Sequence, residues 1–264
     1  MNADQLMSRA ASDRTRGAGE IERDLVRGLL EVGGPWPPEH LERWARQLVM
    51  AHPAMANVRR LAAEMRSGRD VVAFLERRNA HLDALPELLR CHGVPLVLGS
   101  ERVVTVSRSS AVATILLGAA EAGWRGEVVV LDGTTAGGGV EQADLLANQG
   151  LKVRSLPDGA AASVLVDRRS GVVVAVGADA IGPRRVVNAA GTRTLVEVAS
   201  VCAVPRMVVA DSGKNLDEAD VDELIGSVRT HTEDGPGRTW PVFEATPRER
   251  FTYRVFEDGV ERQG

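Results

Sequence analysis

Apolar and polar positions follow two different periods along the chain, and the change falls near residue 93. Before it, apolar residues recur at helical spacing: Ile21, Leu25, Leu29 and Leu30 form one stripe, and Leu41, Trp44, Ala45 and Leu48 another. Pro37-Pro38 ahead of Glu39 predicts a helix start, since proline at the first position forfeits no bonded N–H and an acid there faces the positive end of the helix dipole. Pro53 predicts a kink or a break at His52. A further helical stretch runs from Val71 to Cys91, with an interruption expected near Pro86. No short β-branched run bounded by turn residues occurs here, so residues 1–93 read as a helical domain.

From residue 94 the pattern becomes strand, helix, strand. Val103-Val104-Thr105-Val106 is a β-branched run, and Ser109 opens a helix-forming stretch from Ala111 to Ala122 that Gly123 ends. Glu127 to Leu131, Lys152 to Leu156, Val172 to Val176 and Pro205 to Ala210 read as further strands. Between them lie helices from Glu141 to Asn148, after Asp158, and from Thr192 to Cys202. Apolar strands alternating with helices imply an α/β domain over residues 94–264, its parallel sheet covered on both faces. The tail beyond Gly226 offers Trp240, Val242, Phe243, Phe251, Val255 and Phe256 for packing.

Composition then narrows the partners. The 264 residues are 44% apolar, enough for a sizeable core, while a net charge of −4 and 3% aromatics argue against direct nucleic-acid binding. No apolar run reaches the roughly 18 residues of a membrane span. The polar segment from Met1 to Arg14 predicts no secretory signal. Cys91 and Cys202, the two cysteines, predict a reducing, cytoplasmic setting and read as small buried hydrophobes. His40, His52, His81, His92 and His231 are scattered without ligand spacing, so no metal is expected. No cofactor is expected either: Gly137-Gly138-Gly139 lacks the G-x-G-x-x-G spacing and reads as a flexible loop. No G-x-S-x-G marks a hydrolase elbow.

Ligands of an open parallel sheet bind at the carboxyl ends of its strands. The residues there are Ser107-Arg108-Ser109-Ser110, Asp132-Gly133-Thr134-Thr135, Asp158, Gly177-Ala178-Asp179 and Asp211-Ser212-Gly213-Lys214. Helix-start amides beside Arg108 or Lys214 suit a phosphate group. Ser109 and Ser110 read first as N-caps and second as ligand contacts. Asp132, Asp179 and Asp211 could hold sugar hydroxyls or move a proton. Asp179, in a Gly-Ala-Asp-Ala-Ile run after an apolar strand, is placed where desolvation would raise its pKa, although a turn-capping role is equally open.

Several of these segments together resemble the superfamily of the α, β and δ subunits of eukaryotic translation initiation factor 2B, which also contains methylthioribose-1-phosphate isomerase and ribose-1,5-bisphosphate isomerase. Arg16-Gly17-Ala18 with Ile21 is similar to its N-terminal R-G-A segment, and Val104 to Ser110 to its T-H-S-R-S-S loop. Gly177 to Ile181 matches G-A-D-A-I, and Asn188-x-x-Gly191-Thr192 is like N-K-x-G-T. Ala210 to Lys214 is like its strand-end lysine segment, and Pro241 to Pro247 is similar to F-D-x-T-P. The resemblance implies an N-terminal helical domain with a C-terminal Rossmann-like parallel sheet domain, assembled as a homodimer or a multiple of one. It implies that Arg16, Gly17, Ala18, Asn188 and Lys214 contact a sugar phosphate while Asp179 faces its reacting carbons. A dimer surface is expected from the tail around Trp240, Phe243 and Phe251.

The departures bear on activity. Ser107 stands where the isomerases have the cysteine that works with the aspartate, and a hydroxyl is far less acidic than a thiol. Ala189 replaces the lysine of N-K-x-G-T, His52 an arginine, and Asp132-Gly133-Thr134-Thr135 the family's E-S-R-P. The preferred expectation is an initiation-factor-like protein that binds a phosphorylated sugar or nucleotide through Arg16, Arg108, the amides near Ser109 and Ser110, Asn188 and Lys214, without efficient isomerase activity. The alternative is a sugar-phosphate aldose–ketose isomerase built on Asp179 and Ser107.

Overall fold

The computed structural model describes residues 1–13, 16–133, 138–166, 171–228 and 241–263. Thr134, Thr135, Gly137, His231 and Trp240 therefore lie outside the described residues. The first part of the chain is helical: α1 (Ala3–Ser12), α2 (Ala18–Val32), α3 (Pro38–Ala51), α4 (Ala56–Arg66) and α5 (Val71–Leu98). Helix α3 starts at the Pro37-Pro38 signal and stops at His52. Helix α5 corrects the expected interruption, because it passes Pro86 and Pro95 unbroken, runs through residue 93 and ends at Leu98. Proline at 86 leaves the Leu82 carbonyl without its helical N–H, and Arg23 of α2 donates to that carbonyl at 3.1 Å instead.

The second part alternates as expected: β1 (Arg102–Val106), α6 (Ser110–Glu121), β2 (Glu127–Leu131), α7 (Gly138–Asn148), β3 (Lys152–Leu156), α8 (Ala161–Leu165) and β4 (Val172–Val176). After β4 come β5 (Ala180–Ile181), β6 (Arg185–Ala189), α9 (Thr192–Val201), β7 (Arg206–Val209), α10 (Glu218–Val228), β8 (Phe243–Pro247), β9 (Tyr253–Phe256) and β10 (Gly259–Arg262). The main sheet has the order β10-β9-β7-β4-β1-β2-β3, parallel except for β10. An unforeseen antiparallel sheet, β5-β6-β8, grows out of the segment after β4.

Strands β1, β2 and β4 are buried on both faces, whereas β3, an edge strand carrying Lys152, Arg154 and Ser155, is largely exposed. One apolar cluster joins Leu25, Leu48 and Leu75 of the helices to Val103, Ile115, Val130, Met207 and Val255 of the sheet and α6. The opposite sheet face packs on α8 and α9. Two further expectations are corrected. Cys91 lies mid-helix and is exposed. Phe251 is completely buried in the core, so it supplies no dimer surface.

Candidate functional site

The strand order reverses direction of growth between β1 and β4, the point where a doubly wound sheet opens a crevice. Strand β1 delivers Ser107 there, and β4 delivers Gly177, Ala178 and Asp179. The two loops touch: a Cβ at Gly177 would lie 2.5 Å from Ser109 Oγ, so a side chain there would drive them apart. The start of α2 covers the opening. It leaves a cavity of about 350 Å³ lined by Arg16, Gly17, Ala18, Ser107, Arg108, Ser109, Ser110, Asp179, Asn188 and Lys214. Asp13, His52, Pro53, Ala54, Met55, Val242 and Phe243 join them without having been anticipated as site residues. A larger hollow of about 640 Å³ on the outer face of α3, among Glu39, Arg43 and Met50, receives none of the rim residues.

Backbone geometry shapes the wall of the cavity that the β1–α6 loop forms. Ser107 takes a left-handed conformation, with φ of 58°, uncommon for a residue bearing a side chain. Ser109 caps α6, its Oγ accepting the Val112 N–H at 3.3 Å. Its own N–H donates to Gln142 Oε1, and its carbonyl accepts from Gln142 Nε2, each at 3.3 Å. The Ser109 amide is thus committed to buried Gln142 of α7. Among the described residues, the N–H groups of Ala18, Gly19 and Ser110 have no protein acceptor. Gly19 faces Ser110 closely enough that a Cβ would lie 3.3 Å from Ser110 Oγ, so the N-termini of α2 and α6 converge on one space.

The cations are partly committed. Arg16 donates to Asp13 at 2.5 Å and also to Asp24, and these bonds raise its already high pKa further. Arg108 reaches across to Glu20 at 2.6 Å, while Glu20 also accepts the Gly17 N–H at 3.2 Å. Buried Lys214 donates to the Ala178 carbonyl. Asn188 Nδ2 donates to Thr192 Oγ1 at 2.9 Å, and His52 Nε2 lies 2.7 Å from the Ala10 carbonyl.

Asp179 is 9% exposed, and burial pushes its carboxyl up to about 6 against the opposing charge of Lys214. No donor to that carboxylate occurs among the described residues. The other three carboxylates of the rim, Asp132, Asp158 and Asp211, do not line the cavity. Asp132 accepts from Ser155 at 2.7 Å, and Asp211 is held by Arg78 at 2.8 Å. For Asp211, burial alone would raise the pKa; Arg78, Lys214 and the Gly213 N–H together hold it below the usual range. Asp158 instead accepts the Gly133 N–H at 2.9 Å. Among the described residues, no group of three or more His, Cys, Asp or Glu side chains could hold a metal ion.

Sequence reasoning passed over Glu20, Gln142 and Arg78. Only Glu20 left a signal, as an acid at the third position of a helix, where its carboxylate can accept the N-cap N–H, here that of Gly17.

Comparison with known proteins agrees with this architecture. No curated protein matches the chain. Among solved structures, translation initiation factor eIF-2B of Pyrococcus horikoshii OT3 superposes with a TM-score of 0.80 at 22% identity, over 98% of this chain and 96% of that one. The 5-methylthioribose 1-phosphate isomerase of the same organism gives 0.68 at 18% identity over 99% and 84% of the two chains. The eIF2B delta of Chaetomium thermophilum gives 0.67 at 18% over 97% and 96%. These likenesses establish the fold. Residues 87–234, more than half of the chain, match the Initiation factor 2 subunit family. The chain belongs to the Initiation factor 2 subunit family.

Proposed function

We propose that the cavity binds a phosphorylated sugar or nucleotide, and that the protein isomerises such a ligand slowly or not at all. The observation that carries this reading is the convergence of the α2 and α6 N-termini, with Arg16 and Arg108 beside them, in a cavity that Asp179 also lines. Unpaired helix-start amides and flanking guanidinium groups suit a phosphate. Asn188 and Lys214 line the remaining wall, where they can meet hydroxyls or a second oxygen. Weak turnover follows from Ser107, whose hydroxyl stays protonated at neutral pH and leaves Asp179 without an acidic partner. The competing reading, an aldose–ketose isomerase like the methylthioribose phosphate enzyme it resembles in fold, draws on one observation: a buried carboxyl titrating near 6 is suited to proton transfer.

Calorimetric titration with ribose-1,5-bisphosphate and methylthioribose-1-phosphate, run beside an NMR assay for the ketose product, separates the two. Binding with turnover below about 1 s⁻¹ is the expected result, and faster turnover would overturn it. We further propose a homodimer, or a multiple of one, acting in the cytoplasm through protein assembly. A tetrameric beta2-delta2 complex of C. thermophilum eIF2B subunits shares the fold and supports that reading. Light scattering at micromolar concentration should give a multiple of the 28.2 kDa chain mass, and the monomer mass would refute it.

A further inference from the structure

Three charged side chains next to the cavity line none of it. Glu22, Arg78 and Asp211 are 2%, 7% and 4% exposed. Arg78, on α5, holds both oxygens of Glu22 through Nε and Nη2 at 2.7 Å, and the same Nη2 donates to Asp211 Oδ1 at 2.8 Å. That Asp211 oxygen also accepts the Gly213 N–H at 2.8 Å, closing the turn whose last residue is Lys214. The guanidinium packs on the turn itself: a Cβ at Gly213 would lie 2.7 Å from Arg78 Nη2 and 2.5 Å from Asp211 Oδ1, so a side chain there would push this pair out of place. On the other side, Asn57 donates to Glu22 at 3.0 Å and to the Ala18 carbonyl at 2.8 Å, tying the first turn of α2 to the same group.

We propose that Arg78 is a positioning residue of the cavity: it aims Lys214 through Asp211 and seats the start of α2 through Glu22, so it fixes the distance between the two walls a ligand must bridge. Its consequence for ligands rests on the phosphate reading of the cavity; its effect on Lys214 does not. A buried ion pair that serves only as packing is replaceable by neutral groups of similar size with the neighbourhood unchanged. A positioning group is not, because the fork that orients Asp211 goes with it.

The chain's lysine poverty makes this measurable. Lys152 and Lys214 are the only two lysines, so ¹³Cε-lysine labelling gives two side-chain signals, with exposed Lys152 as internal reference. The double variant Arg78→Met with Glu22→Gln removes the pair without leaving an unmatched charge on Glu22. The Lys214 signal is expected to move toward that of Lys152 while the amide spectrum stays folded. Asp211→Asn, which leaves the Arg78–Glu22 pair intact, should move it as well. Titrated with ribose 5-phosphate, the double variant should bind about tenfold more weakly than wild type, the loss of one charge-assisted contact. A Lys214 signal at its wild-type position in a folded double variant, or in Asp211→Asn, overturns the proposal. If Lys214 moves but no form binds ribose 5-phosphate, the positioning role stands and the ligand reading fails.

Discussion

At the scale of single residues, Asp179 makes a prediction with a definite sign. Its carboxyl ionises near 6 in the fold and near the ordinary carboxylate value when unfolded, so between about pH 4 and 6 the native state holds a proton that the unfolded state has released. The stability this represents is complete below pH 4 and disappears as pH rises through 6, a total of roughly 3 kcal/mol. Asp179→Asn keeps a neutral side chain at every pH. It should match wild type near pH 4 and exceed it above pH 6 by up to that amount, while weakening any ligand that uses the carboxylate. Urea unfolding across pH 4–8 checks this; parallel wild-type and variant curves would contradict it. Asp211 acts oppositely, its depressed pKa contributing stability at neutrality that is lost as pH falls. The rim positions were legible because strand ends can be read from apolar runs, and because the family segments fall on them. The partners were not. Arg78 meets Asp211 133 positions away, and Glu20 meets Arg108 88 positions away, pairings that no local pattern encodes.

Among the elements, the helices divide by how their signals compete. Helix α1 buries Ala3, Leu6, Met7 and Ala10, a full helical stripe, yet its polar residues outnumber them and only the contact with α2 and α3 reveals the face. Helix α5 is the reverse case, where two local breakers are overruled by tertiary packing. The Arg23–Leu82 hydrogen bond predicts how. Arg23→Ala should cost about 1–2 kcal/mol by leaving the buried Leu82 carbonyl unsatisfied. Pro86→Ala restores a helical N–H to that carbonyl, so the double variant should lose less than the two single effects together, with a coupling of about 1 kcal/mol. Thermal or urea unfolding of the four proteins closes the cycle, and strict additivity would show that Arg23 does not stand in for the missing N–H. The small sheet β5-β6-β8 could not be read at all, because β5 is two residues long and β8 lies more than fifty residues beyond β6.

For the molecule as a whole, the change of period near residue 93 suggests two parts, and the interior joins them. The apolar cluster that holds α1 to α5 together also contains Val103, Val130, Met207 and Val255 of the sheet, so neither side can separate without exposing the other. Helix α5 carries the chain across the change without a linker, and Arg78 on it grips α2 and the end of β7 at once. Such coupling predicts one cooperative transition. Scanning calorimetry should give a single peak whose calorimetric and van't Hoff enthalpies agree per cooperative unit. A first, smaller peak that leaves the parallel sheet intact would mean that residues 1–93 unfold independently. The same coupling makes ligand effects global: anything bound between the start of α2 and the β1–α6 loop bridges both layers, and should raise the midpoint of the single transition rather than split it.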